Sequence, residues 1–207
     1  MKLFTLVFAY LLITHPLSAQ KQILSVALAP SAIIKLIDLE GEITLINSQT
    51  DSLVATTEYS IEGSTIGYSN QKSRGTYELI IQHDSNCVVL KPKKRKDAVS
   101  IGISYWTENI KTTIAIPARA DVRVSNNNAN LVVKGCYDLF DENVEQGKIT
   151  LQLSQKKIRR LVCNVRKGSI TVGEHEYKED FSFTGEGNSI YTIANKKGDV
   201  VINLLGE

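Results

Sequence analysis

The stretch Gly147-Lys148-Ile149-Thr150-Leu151-Gln152-Leu153 decides how this chain is read, because it recurs. Gly168-Ser169-Ile170-Thr171-Val172 and Gly198-Asp199-Val200-Val201-Ile202 follow it, and Asn130-Leu131-Val132-Val133 precedes it. The four copies start 17, 21 and 30 residues apart, stepping from 130 to 147, 168 and 198. Steps of that size approximate one coil of a stacked β repeat, with loops absorbing the difference. Within each copy apolar and polar residues alternate with period two, the mark of a strand with one buried face. A glycine in front suits a tight corner before the strand joins its neighbours. Gly41-Glu42-Ile43-Thr44-Leu45 is an earlier copy.

The same alternation runs outward through most of the chain, as in Ile101/Ile103/Tyr105, Ile114/Ile116, Val122/Val124 and Leu161/Cys163/Val165. No segment keeps the i, i+3, i+4, i+7 pattern for three turns; Ala32–Leu39 and Leu139–Val144 could form a turn of helix at most. The fold class expected is all-β, an irregular single-domain β-solenoid with short stacked strands and Gly-led corners. Glu62-Gly63-Ser64, Ser73-Arg74-Gly75, Asn126-Asn127-Asn128 and Gly185-Glu186-Gly187-Asn188 read as turns. The Asn run also suits a corner, since Asn tolerates left-handed backbone.

The whole chain has 207 residues, 43% hydrophobic and 22% charged, with a net charge of +2 from 24 basic and 22 acidic groups. That balance gives no ground for nucleic-acid binding. With 3 His, 1 Trp and 1 Met there is little for metal or redox chemistry, and no cofactor is expected. Residues 1–19 read as a signal peptide: Lys2, an apolar run from Leu3 to Ile13, then Pro16-Leu17-Ser18-Ala19 before the cut. The run is about half of the roughly 20 residues that a membrane span needs. The mature domain, 20–207, is expected to be exported, periplasmic or on the cell surface. Cys87, Cys136 and Cys163 are an odd set; Cys163 alternates with Leu161 and Val165 as a small core residue, and a Cys136–Cys163 bridge is left open.

Lys91-Pro92-Lys93-Lys94-Arg95-Lys96 is the densest charge, between two strands. It could contact an anionic polymer, or be a solvated hairpin tip that discourages edge aggregation. The alternation predicts Ile149, Leu151, Ile170, Val172, Val200 and Ile202 inward, so Thr150, Gln152, Ser169, Thr171, Val201 and Asn203 form an outward ladder. These groups hydrogen-bond but cannot take a proton at neutral pH, which argues for docking rather than catalysis. Trp106 and Tyr105 offer either a sugar-stacking platform or core packing. Glu174-His175-Glu176 lacks further metal ligands nearby, and Asp138, Asp141, Glu142 and Glu145 read as an acidic surface loop without a calcium-loop pattern. His83-Asp84-Ser85 has no Gly-x-Ser-x-Gly elbow to accompany it and is treated as turn chemistry.

Taken in order, Gly41-Glu42-Ile43-Thr44-Leu45, Val88-Val89-Leu90, Thr113-Ile114-Ala115-Ile116-Pro117-Ala118, Asp121-Val122-Arg123-Val124 and the later Gly-led strands resemble a known family. This is the group of bacterial secreted adhesin-like β-solenoid domains, including the head GIN domain and toastrack-type domains of Bacteroidetes. The resemblance spans Ile37 to Leu204, and departs from the family in an irregular Tyr137–Gln146 loop and an acidic Glu174–Asp180 insertion. It implies architecture and envelope residence, and carries no catalytic residues. The expected function is a non-catalytic adhesin-like binding or scaffolding module, its partner an envelope protein or glycan. The alternatives are a sensor or accessory component of an envelope stress system and a carbohydrate-active enzyme. Uncapped ends of the stack would favour edge-mediated self-association.

Overall fold

The computed structural model describes residues 20–29, 32–69, 76–84, 86–96 and 100–206. Residues 1–19, the Ser73-Arg74-Gly75 turn, Ser85 and Val99 lie outside the described residues. The strands are β1 (Gln20–Ala27), β2 (Ile33–Ile37), β3 (Gly41–Ser48), β4 (Ser52–Ser69), β5 (Leu79–Asp84), β6 (Cys87–Pro92), β7 (Ser100–Pro117) and β8 (Asp121–Val133). They continue as β9 (Leu139–Gln146), β10 (Ile149–Ser154), β11 (Ile158–Val165), β12 (Ile170–Val172), β13 (His175–Tyr177), β14 (Asp180–Thr184), β15 (Ser189–Asn195) and β16 (Val200–Leu205). The chain is all-β, as the period-two pattern requires.

The strands lie in two sheets, and the chain crosses repeatedly from one to the other. The chain passes from a strand of the second sheet to one of the first in β2 to β3, β6 to β7, within β8, β9 to β10, β11 to β12, and β15 to β16. First-sheet strands run parallel in the order β7-β3-β8-β10-β16-β12. The second sheet has the matching order β6-β2-β8-β9-β15-β11. The strand pairs therefore do not follow chain order: β15/β16 is inserted between β9/β10 and β11/β12, and β6/β7 lies outside β2/β3. Antiparallel strands end the stack on both sides. At one end β4 lies on β7, β1 on β4, and β5 on β6; at the other, β13 lies on β12 and β14 on β11. Gln22 ties the first end together: its amide accepts from Leu79 N at 2.7 Å and donates to Leu79 O at 2.9 Å, standing in for a backbone peptide between the sheets.

Alternate residues of both sheets meet in one core. Ile34, Leu36, Val122, Val124, Leu161 and Val165 come from the second sheet, and Ile43, Leu45, Leu131, Val133, Ile149, Leu151, Val200 and Ile202 from the first; all are buried. Each such side chain contributes about 1.5–3 kcal/mol by leaving water. Where the chain turns from second to first sheet, Gly147 and Gly198 stack on one another. A Cβ on Gly198 (φ +125°) would overlap the Gly147 carbonyl, and one on Gly147 (φ +145°) the Ala129 carbonyl. Only glycine lets successive corners approach this closely.

Several local readings are corrected. Ala32–Leu39 and Leu139–Val144 hold the strands β2 and β9, because pairing on both edges overrides their weak helical pattern. The acidic segment is accordingly no surface loop: β9 is an interior strand, with Phe140, Glu142 and Val144 buried. Glu62-Gly63-Ser64 is not a turn but the middle of β4, where Gly63 faces Trp106 and a Cβ would overlap that ring. Asn126-Asn127-Asn128 lies within β8 where it crosses between sheets, and Asn126 Oδ1 accepts from Leu39 N at 3.0 Å. All three cysteines are free, so Cys136 and Cys163 are unbridged. Burial, then the nearby Glu142 and Asp180 carboxylates, push the Cys163 thiol up to about 12, which leaves it unreactive.

Candidate functional site

The outer face of the first sheet is a regular array. Register aligns Ile23, Thr56, Thr113, Thr44, Val132, Thr150, Val201 and Thr171 across β1, β4, β7, β3, β8, β10, β16 and β12. Every strand in this run offers a β-branched side chain at the same position. At about 4.8 Å per strand the row extends about 34 Å. β-Branched side chains set side by side on a pleated sheet have few rotamers open to them.

Two further rows flank it. On one side Lys21, Glu58, Lys111, Glu42 and Asn130 follow in register. Lys21–Glu58 and Lys111–Glu42 approach to 3.9 and 3.7 Å, exposed pairs that neutralise the row more than they stabilise it. On the other side Gln152 aligns with Asn203. Between the Thr row and the charged row lies a shallow depression of about 190 Å³ lined by Glu42, Thr44, Thr56, Glu58, Lys111 and Thr113. The outer face of the second sheet differs, since its corresponding row reads Lys35, Arg123, Asp141, Thr192, Val162.

Of the residues expected to face outward, Thr150 and Thr171 stand in the Thr row and Gln152 and Asn203 in the row beside it. Ser169 sits at the corner, where its N–H donates to Asp199 Oδ1 at 3.0 Å. Sequence reading missed Thr44, Thr56 and Thr113, which complete the row. Thr44 was visible in the early Gly41 copy, but its neighbours are set by strands that insert out of chain order.

The basic segment is divided. Arg95 turns inward, with only 8% of its side chain exposed, donating to Glu108 at 2.8 Å and Glu40 at 2.9 Å and lying over the Tyr77 ring. Burial pulls its guanidinium pKa down, but Glu108 and Glu40 more than offset that and hold it above its usual range. Burial likewise pushes the Tyr77 hydroxyl up to about 12. Lys93 pairs with Glu78 at 2.9 Å, and this holds the Glu78 carboxyl below its usual range. Lys94 and Lys96 are exposed and Lys91 is half-buried. Arg95 thus joins Glu40, just before β3, to Glu108 of β7. Arg95→Ala, which removes both ion pairs of a side chain only 8% exposed, is expected to cost about 3 kcal/mol in urea unfolding. Lys94→Ala and Lys96→Ala should stay within about 0.5 kcal/mol.

Other singled-out groups do not converge. Tyr105 is 71% exposed on one face of β7, whereas Trp106 packs against the core from the other, so they form no shared platform. Glu174, His175 and Glu176 form an exposed hairpin at the stack's edge, and His83 and Asp84 end β5. Among the described residues no three His, Cys, Asp or Glu gather as metal ligands, and no helix is long and apolar enough to cross a membrane.

No family model and no curated protein matches this chain. Among solved structures, a candidate cell adhesion protein from Clostridium sporogenes superposes with a TM-score of 0.54 at 10% identity, over 92% of this chain and 100% of that one. Candidate adhesins from Parabacteroides distasonis and Parabacteroides merdae match 89% and 90% of this chain and 70% and 79% of theirs, with TM-scores of 0.29 and 0.31 at 12% identity. The Clostridium likeness is one of fold.

Proposed function

We propose that the chain is an exported, non-catalytic, adhesin-like binding or scaffolding module of the bacterial envelope, built as an irregular β-solenoid of the head GIN or toastrack kind. The first sheet's outer face is its docking surface, for a glycan or an envelope protein. The observation that carries this reading is the unbroken Thr/Val row over successive strands. Hydroxyls and methyls at a constant spacing suit a partner with its own repeat. The fold shared with a candidate cell adhesion protein supports the reading.

The test places a photo-crosslinking residue at Thr113 or Thr150 in cells, with Arg123 and Asp141 of the second sheet as controls. Capture of one envelope protein or glycan from the first-sheet positions alone is expected. Equal capture from both faces, or none, would remove the docking face. An envelope-stress sensor would instead yield a single membrane protein at high stoichiometry.

The enzyme alternative draws on one place, a corner cavity of about 440 Å³ lined by Asp38, Glu40, Glu108 and Asn127. Its carboxylates are engaged: Glu40 and Glu108 with Arg95, and Asp38 with the Asn127 amide at 2.9 Å. That arrangement fits a structural clamp better than proton transfer.

A further inference from the structure

Beyond the stack, β4 and β7 continue as a two-stranded arm. Ser60 to Ser69 pair with Asn109 to Ser100, while β1 pairs β4 only up to Tyr59 and β3 pairs β7 only from Lys111. For ten residue pairs, therefore, neither edge of the ribbon meets a third strand among the described residues. Isolated two-stranded ribbons are marginal in water. The edges also lack the usual protection, since the paired segments contain no Lys, Arg or Pro.

On β7 the arm carries a stripe of exposed apolar side chains. Ile101, Ile103 and Tyr105 are 68%, 76% and 71% exposed. Register sets Ile103 opposite Ile66 and Ile101 opposite Tyr68. Three side chains so exposed present roughly 400 Å² of surface, comparable to the largest apolar patch on a typical monomer. Two such patches facing each other would supply the apolar centre of an interface that needs about 800 Å² per partner.

We infer that this arm pairs face to face with the arm of a second copy of the chain, the two Ile-x-Ile-x-Tyr stripes running antiparallel about Ile103. That register sets Ile101 against Tyr105 of the other copy and Ile103 against its own counterpart, joining aromatic to β-branched side chains. The stripe is self-complementary and uncharged. Glu62 aligns with Thr107, four positions from the axis, so the two copies' carboxylates lie at opposite ends of the contact. An anionic lipid surface is disfavoured by the same groups: Glu62, Thr107 and Asn109 border the stripe where a lipid-binding surface would carry cations. The contact lies on the arm, where β4 and β7 run beyond the sheets.

Sedimentation of the mature protein tests this. A dimer is expected for the wild type at micromolar concentration, a monomer for Ile103→Lys, and an unchanged dimer for Ser182→Lys, which adds the same charge to an exposed site on β14. Tyr105→Ser should weaken the dimer at least tenfold, and far-UV circular dichroism should be the same for all four proteins. A wild-type monomer at 100 µM concentration, or a dimer that survives Ile103→Lys, would overturn the proposal. So would an arm-dependent association with phosphatidylglycerol vesicles by a protein that remains monomeric.

Discussion

Glu142→Gln is expected to unfold at nearly the same urea concentration as the wild type at pH 4.5, and at a much higher one at pH 8. Glu142 lies in the middle of β9 at 1% exposure, and neither carboxylate oxygen has a hydrogen-bond partner among the described residues. Its register neighbours are Val124 and Ile193, and the titratable group facing it from β11 is Cys163. Desolvation pushes the Glu142 carboxyl up to about 8. The sign follows from linkage: a carboxyl whose pKa is higher folded than unfolded favours the fold while protonated. That stability is complete below about 4.5, and is lost as pH rises through 8. The loss is on the order of 4 kcal/mol, from about 1.4 kcal/mol per pKa unit. The Gln side chain resembles the protonated acid at every pH, so its stability curve should be flat over the interval where the wild type declines. Parallel curves for the two proteins would mean that water reaches the carboxylate.

The second large effect is at the corners. Gly198→Val should destabilise the fold by about 3 kcal/mol or more, enough to deplete soluble protein. Gly198 combines a φ of +125° with direct overlap of any Cβ on the Gly147 carbonyl, and its N–H donates to Lys167 O at 2.8 Å. Relief by rotation would break that bond and separate β16 from β10 and β12. Gly173 makes the contrast. Its φ is +58°, but a Cβ there meets nothing within 4 Å, and Gly173→Ala should cost only about 1 kcal/mol in the same thermal or urea assay. Similar losses at both positions would show that backbone conformation alone, and not the close approach of successive corners, constrains the glycines.

What could be read in advance was what each strand determines for itself. The alternation through Ile149–Leu153 and Val200–Leu204 assigns inner and outer residues because a half-buried strand needs nothing but its own sequence to declare its faces. Stacking order depends on partners far along the chain, so the neighbours of Thr44 and Thr113 were not legible. The acidic residues between Asp138 and Glu145 masked the alternation of Phe140, Glu142 and Val144; a carboxyl at an inward position is contrary to ordinary burial preference. Arg95 was misleading for a related reason. Its run of lysines describes a surface, whereas the carboxylates that draw it inward are Glu40, just before β3, and Glu108 of β7.

The insertion of β15/β16 between earlier strands makes assembly depend on the order of synthesis. A chain released from its N-terminus can pair β2 with β8 and β8 with β9 early, but the slot beside β10 stays open until residues 189–205 arrive. Until then β11 and β12 have no parallel neighbour, and their backbone groups have only β14 and β13 to bond. Residues 189–205 act as a keystone, closing both sheets at once where they enter between earlier strands.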